Sequence, residues 1–130
     1  MCFDIDLPAL CGAFDSAGGE GLLALHRVPD GSRYGSVVLD GDRIVSFAEK
    51  KEAAGPALIN GGVAVVNAAI TDRVRALPCS METEIFPAVA AERRLAGREC
   101  AGYFIDMGLS ETFEQARRNL IGLTQSAAAR

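Results

Sequence analysis

Two adjacent residues of opposite charge, Glu49 and Lys50, form a candidate binding pair in the stretch FAEKK. A carboxylate accepts hydrogen bonds from hydroxyl groups, and an ammonium group is a compact positive charge that suits a phosphate. Taken alone, however, such a pair is typical of the solvated end of a strand. Neighbouring motifs must therefore decide between a ligand site and an ordinary strand end.

Three other short motifs contain residues that could contact a ligand. Asn60, Gly61 and Gly62 interrupt an otherwise apolar run. Glycines in a strand indicate either a β-bulge or a place where something approaches the backbone closely. Asp106, in FIDMG, is by itself an ordinary turn residue before a helix. Glu82 lies at a predicted helix start, where the helix dipole favours a carboxylate in any case.

Several common catalytic motifs are missing or misplaced. The four cysteines form no CxxC pair and the single histidine, His26, has no cysteine within five residues, so we expect no zinc site. GEGLLA has the loose spacing of a dinucleotide-binding loop, but it follows a predicted helix and opens a strand, which is the wrong order. No P-loop, HExxH or GxSxG motif occurs, so the corresponding enzyme classes lack their signatures.

Composition predicts one globular domain. The chain has 130 residues, 49% hydrophobic and 23% charged, so one ordinary core is feasible and long disordered tails are not expected. The net charge of −4 gives no general attraction to nucleic acid or anionic lipid. The N-terminus is acidic and no apolar run approaches a membrane span. We therefore expect a cytoplasmic protein with reduced thiols and no nucleic-acid or membrane partner.

The predicted elements mix strands with helices, which indicates a single α/β domain over residues 1–122 and a frayed tail at 123–130. An Asp-Gly pair at 40–41 predicts a β-hairpin. We expect strands at 1–6, 21–28, 34–40, 43–49, 57–66 and 99–105. We expect helices at 7–14, 68–77, 82–95 and from Ser110 to an end at Gly122.

Five motifs follow one another in a specific order: RYG at 33–35, FAEKK at 47–51, INGGV at 59–63, METEIFP at 81–87 and FIDMG at 104–108. In this order and spacing, roughly residues 1–120 resemble the C-terminal, sugar-phosphate-binding half of the sugar-1-phosphate nucleotidyltransferases. The resemblance is closest to the branch of mannose-1-phosphate and D-glycero-D-manno-heptose-1-phosphate guanylyltransferases. It implies a partial nucleotidyltransferase fold, GT-A-like and Rossmann-like, with a mixed sheet, a hairpin and flanking helices.

The resemblance also implies roles at the matching positions. Lys50 would bind the phosphate of a sugar 1-phosphate and take part in catalysis, Glu49 would accept hydrogen bonds from sugar hydroxyls, and Gly35 would present its backbone to one. Further contacts to the sugar would come from Asn60, Gly61, Gly62 and Glu82. Asp106 would be the remaining catalytic residue and would share Mg²⁺ with another aspartate and the nucleotide phosphates.

The sequence departs from the family in two ways. Lys51 stands where the family usually has proline, and the N-terminal half, with its GGxGTR-type triphosphate loop and first metal-binding aspartate, has no counterpart in the sequence. One lone carboxylate holds Mg²⁺ poorly. We therefore expect a sugar-phosphate-binding half that is inactive alone, through gene decay or a start codon placed too far downstream.

Two alternatives to an inactive half remain open. The chain could be one subunit of a split enzyme whose N-terminal half is a separate chain, or it could be a noncatalytic sugar-phosphate-binding or regulatory module. In the resembled family, strands of the absent half complete the sheet, so the edges left without a neighbouring strand predict a homo-oligomer.

Overall fold

The computed structural model describes residues 2–48, 55–108 and 110–128, without the side chains of 123–128. The chain divides into two compact units. The larger unit is Ile5–Ala101, and the smaller unit combines Met1–Asp4 with Gly102–Arg130. Within the described ranges, every helix is too short or too polar to span a membrane.

The larger unit is a mixed sheet with helices. Its strands are β2 (Gly21–Val28), β3 (Ser36–Asp40), β4 (Arg43–Ala48), β5 (Ala57–Val66) and β6 (Leu95–Glu99). Their order across the sheet is β3-β4-β6-β2-β5. Only the β2–β6 pair is parallel among these neighbours. Its helical segments are α1 (Leu7–Ala17), a 3₁₀ helix (Ala68–Arg73), a π-helical turn (Met81–Ile85) and α2 (Phe86–Ala91).

The core of the larger unit forms around β2, which has a strand on either side. Residues Gly21 to Leu25 are all buried, as expected for a strand covered on both faces. Gly97 on β6 shows how tightly the layers pack, because a Cβ there would lie 2.7 Å from Leu25 Cδ1 and 3.0 Å from Ile44 Cγ1. Leu25 and Ile44 belong to a hydrophobic cluster that also includes Val37, Ile70, Ile85, Phe86, Val89, Ala90 and Leu95.

The predicted β-hairpin is confirmed. Asp40 pairs with Arg43, so Gly41 and Asp42 form a two-residue loop. Gly41 has a φ of 63°, the positive value that a type II′ loop requires at its first central position. Arg43 then connects the hairpin to α1, because its guanidinium donates hydrogen bonds to the carbonyls of Ala17 and Gly18 at the end of that helix.

Strands 21–28 and 57–66 were predicted with the observed bounds. The strand that pairs with β2 on its other side was misplaced. The predicted strand 99–105 does not form as one strand, because the pairing with β2 involves Leu95–Glu99 and only Phe104–Ile105 form a second, short strand. The predicted helix 82–95 is correspondingly too long, since α2 ends at Ala91 and Arg93 adopts a φ of 56°. Burial of Leu95 beside β2 outweighs the helical spacing of the apolar residues before it.

Two other helices also differ from expectation. The segment predicted as a helix over 68–77 is a 3₁₀ helix that ends at Arg73, since Val74 is extended. Helix α1 runs three residues beyond its predicted end at Phe14, to Ala17. Asp6 starts α1 by accepting a hydrogen bond from the Ala9 N–H at 2.9 Å, the usual role of an N-cap carboxylate.

The smaller unit contains a two-stranded sheet and a long helix. Strand β1 (Cys2–Phe3) pairs antiparallel with β7 (Phe104–Ile105), and α3 extends over Ser110–Ala128. The predicted helix end at Gly122 is wrong, because α3 continues for six more residues. A glycine inside a helix costs only about 1 kcal/mol relative to alanine, so it does not by itself end a helix followed by good helix-forming residues.

Candidate functional site

The sequence-predicted site residues are distributed over several parts of the chain. Glu49 and Lys50 lie outside the described residues. Asp106 belongs to the smaller unit. The larger unit holds the others, which are Gly35, Asn60, Gly61, Gly62 and Glu82.

Gly35 lies at the open end of the hairpin. Its φ is 75°, and its N–H donates a hydrogen bond to the Gly31 carbonyl at 3.1 Å. The next residue, Ser36, pairs with Ala48, the residue that directly precedes Glu49 in sequence. The hairpin thus brings Gly35 beside the strand end that leads to the predicted Glu49–Lys50 pair. A positive φ is costly for residues with a Cβ, which explains a glycine at this turn.

Asn60, Gly61 and Gly62 form a β-bulge in β5. Leu25 pairs with Asn60 and Leu23 pairs with Ala64, so the residues between Asn60 and Ala64 face a single residue of β2. Gly62 has a φ of 80°, and its N–H donates a hydrogen bond to Asn60 Oδ1 at 3.0 Å. The bulge disrupts the ladder locally and leaves backbone groups outside it.

Glu82 lines an open cavity of about 430 Å³ beside β4. Its other lining residues are Val45, Ser46, Phe47, Thr83 and Pro87. The volume falls within the range of small-molecule pockets. Because β4 ends at Ala48, the cavity lies beside the strand that directly precedes Glu49 and Lys50 in sequence.

Glu84, and not Glu82, is used in capping the adjacent turn. The Ser80 hydroxyl accepts a hydrogen bond from Thr83 N–H at 3.2 Å, and Glu84 accepts one from Ser80 N–H at 2.7 Å. This is the reciprocal pattern of a capping box, with the acid one residue later because the turn is π-helical. The capping arrangement therefore does not account for Glu82.

Asp106 follows β7 and stabilises its own turn. One carboxylate oxygen, Oδ1, accepts a hydrogen bond from Gly108 N–H at 3.1 Å. In the part of the chain that the structure describes, no group of three or more His, Cys, Asp or Glu residues could hold a metal ion. Mg²⁺ requires near-octahedral oxygen ligation, usually with carboxylates and substrate phosphates. The described donors do not fit Mg²⁺ by themselves.

Sequence reasoning missed a buried charge cluster in the larger unit. The Glu20 carboxylate, whose side chain is only 5% exposed, pairs with Arg73 at 2.5 and 2.8 Å and with Arg94 at 3.1 Å. Arg73 also pairs with Glu92 at 2.6 Å. The hydrogen bonds from Arg73 hold the pKa of Glu20 below its ordinary value, although burial acts in the opposite direction. No motif signals this cluster, because Glu20 and Arg73 are 53 residues apart.

No family model matches the chain, but curated proteins do. The chain is 38% identical over 100 residues to the mannose-1-phosphate guanylyltransferase catalytic subunit beta of Dictyostelium discoideum. It is 37% identical over 98 residues to the protein of the same name from Danio rerio. These matches cover 75% and 74% of this chain, but only 28% and 27% of the relatives. The chain thus spans just over a quarter of the length of these relatives.

Solved structures share the fold. HddC from Yersinia pseudotuberculosis superimposes with a TM-score of 0.75 at 23% identity, over 91% of this chain and 51% of HddC. A protein from Bacillus anthracis, assigned as a glucose-1-phosphate thymidylyltransferase and solved in complex with sucrose, gives a TM-score of 0.72 at 18% identity. This superposition covers 88% of this chain and 48% of the Bacillus anthracis protein. The predicted partial nucleotidyltransferase fold is therefore confirmed, and together with the sequence similarity it shows that the chain belongs to the sugar-1-phosphate nucleotidyltransferase family.

Proposed function

We propose that this chain binds a sugar 1-phosphate as the acceptor side of a nucleotidyl-transfer site. The observation that carries the proposal is the 38% identity over 100 residues to an enzyme named for mannose 1-phosphate. Relatives of the same name from several organisms support the same substrate class. The geometry of β4 and β5 supports it independently.

The cavity beside β4 has the chemical character of a small sugar site. Ser46, Glu82 and Thr83 are the polar residues of its lining, and hydroxyl and carboxylate groups can hydrogen-bond sugar hydroxyls. Phe47 and Pro87 contribute apolar surface to the same lining. The lining thus combines groups that can fix a ligand's orientation with apolar surface, as small-molecule sites do.

Lys50 is the proposed phosphate ligand and Glu49 the proposed acceptor of hydrogen bonds from sugar hydroxyls. In the proposed reaction, an oxygen of the sugar phosphate attacks the α-phosphorus of a nucleoside triphosphate. The new O–P bond forms as the bond to pyrophosphate breaks, so no covalent enzyme intermediate is needed. The contribution of this chain is to hold and orient the acceptor and to neutralise part of its charge.

We further propose that the chain does not complete the transfer by itself. Its curated relatives are more than three and a half times as long as the part that it matches, which is 28% and 27% of their length. A nucleotide site supplied by a separate chain would account for this difference, and so would a noncatalytic binding role. The two are distinguished by whether an added nucleotide-binding half restores product formation.

Binding is tested by calorimetric titration of the full chain with mannose 1-phosphate, with and without Mg²⁺. We expect weak binding that does not depend on Mg²⁺ and is lost in Lys50→Ala. Lys51→Ala is the matched control, since it removes the same charge from the neighbouring position, and it should bind nearly as well as the wild type. Equal affinity of the wild type and Lys50→Ala would exclude the proposed phosphate role.

A further inference from the structure

Asn60 has a hydrogen-bonding role within the protein that limits what it offers a ligand. The backbone N–H of Gly62 is a donor, so the Asn60 atom that it meets at 3.0 Å is the side-chain oxygen Oδ1. One of the two lone pairs of that oxygen is thereby engaged in the bulge, which leaves at most one for a ligand. The amide nitrogen Nδ2 cannot accept a hydrogen bond from a sugar hydroxyl, because an amide NH₂ group is only a donor.

The bulge needs this contact more than a regular strand would. Gly62 has a φ of 80°, and the inserted residues lie outside the β2–β5 register. Asn side chains commonly bond a backbone N–H two residues later and so stabilise such a turn. Asn60 is half-buried, Gly61 is buried and Gly62 is exposed, so the contact lies at the boundary between core and solvent.

The bulge also lies on a sheet edge. Among the described strands, β5 stands at the end of the sheet order and hydrogen-bonds only to β2. Backbone N–H and C=O groups along such an edge are open to other groups. The conformation at Gly61 and Gly62 therefore determines where these backbone groups point.

We propose that Asn60 is a positioning residue, which holds the Gly61–Gly62 backbone in the conformation that contacts the sugar, rather than the sugar's principal hydrogen-bonding partner. This inference rests on the proposed sugar 1-phosphate function. It predicts that sugar binding requires a hydrogen-bond acceptor in the side chain at position 60 and does not require an amide NH₂ group there.

Three substitutions separate the two roles of the Asn60 side chain. Asn60→Asp keeps an oxygen for the Gly62 N–H but removes the amide donor. Asn60→Ser offers a shorter, uncharged acceptor, which controls for repulsion between an added carboxylate and the phosphate. Asn60→Ala removes both groups. Asn67→Ala is the matched control, because Asn67 also bonds backbone, at the Gly19 carbonyl.

The first measurement is hydrogen exchange of the Gly62 amide by ¹⁵N NMR on the full chain without ligand. We expect exchange about tenfold faster in Asn60→Ala, near-wild-type protection in Asn60→Asp, and no change at Gly62 in Asn67→Ala. Unchanged Gly62 exchange in Asn60→Ala would overturn the proposal. This measurement needs no ligand and therefore does not depend on the proposed function.

The second measurement is calorimetric titration of the same variants with mannose 1-phosphate. We expect Asn60→Ala to weaken binding about tenfold and Asn60→Asp and Asn60→Ser to retain most of the affinity. An equal loss in all three variants would instead identify the amide NH₂ as the ligand contact and refute the positioning role. A wild-type chain that does not bind mannose 1-phosphate would contradict the proposed function, while the exchange measurement would still decide whether Asn60 holds the bulge.

Discussion

Replacing Arg73 by methionine should destabilise the larger unit far more than loss of an ordinary surface ion pair. Arg73 contacts the Glu20 carboxylate through two hydrogen bonds, at 2.5 and 2.8 Å. The Glu20 side chain is 5% exposed and that of Arg73 is 21% exposed. Methionine fills similar space without charge, so the main loss is that of the partner of a buried carboxylate.

The magnitude follows from what remains around Glu20. Removing one partner of a buried ion pair typically costs about 3–5 kcal/mol. Arg94 stays 3.1 Å from Glu20, but its side chain is 53% exposed, so water screens that attraction and it offsets only part of the loss. We therefore expect the free energy of unfolding to fall by about 2–3 kcal/mol.

The assay is urea unfolding at pH 7, followed by circular dichroism. The control is Arg27→Met, because Arg27 forms a comparable pair with Glu99 at 2.7 Å but both side chains are largely in water, at 55% and 44% exposure. That control should unfold nearly as the wild type does. Adding Glu20→Gln to Arg73→Met should restore part of the stability, because it removes the unpaired buried charge.

The pH dependence provides a second test of the same reasoning. In the wild type the pKa of Glu20 lies below its ordinary value, 4.5. The pair therefore stabilises the fold fully above that value, and its contribution is lost as pH falls through the lower folded pKa. Without Arg73, burial favours the protonated acid, so the difference between wild type and Arg73→Met should shrink on acidification. A small loss at pH 7, equal to that of Arg27→Met, would refute the assignment of Glu20 as a buried, paired carboxylate.

Four further predictions concern packing, assembly and activity. Gly97→Ala should destabilise the chain by about 1–3 kcal/mol in urea unfolding, because its Cβ would meet the Leu25 side chain at 2.7 Å. Gly12→Ala, in α1, where the new Cβ meets nothing within 4 Å apart from its chain neighbours and the backbone of its own helix, should instead stabilise it by about 0.5–1 kcal/mol. Light scattering during size-exclusion chromatography should show a dimer or larger species, and a clean 13.7 kDa monomer would contradict the expected self-association. The chain alone should form no nucleotide sugar from GTP and mannose 1-phosphate, and turnover that Asp106→Ala abolishes would disprove this.

Local patterns predicted much of the sheet and the family. The Asp-Gly pair specified the hairpin because a two-residue loop places strong demands on its own residues. The apolar runs 21–28 and 57–66 matched β2 and β5 because strands that face the core leave a direct signature in residue type. The ordered motifs that suggested sugar-1-phosphate nucleotidyltransferases agree with the similarity to a mannose-1-phosphate guanylyltransferase subunit in sequence and to HddC in fold.

Other features depend on contacts between distant residues, and only the tertiary structure decided them. The stretch around Leu95 became a strand because β2 offers a parallel partner, which no local periodicity reports. The pairing of Glu20 with Arg73 depends on the fold bringing together residues 53 positions apart. The glycines of INGGV marked an irregular strand, yet the position of the bulge became visible only with the register of β5 against β2. Sequence alone thus determined elements that residue type marks locally, such as the hairpin loop and the apolar strands, while the fold decided which distant residues pair or pack against one another.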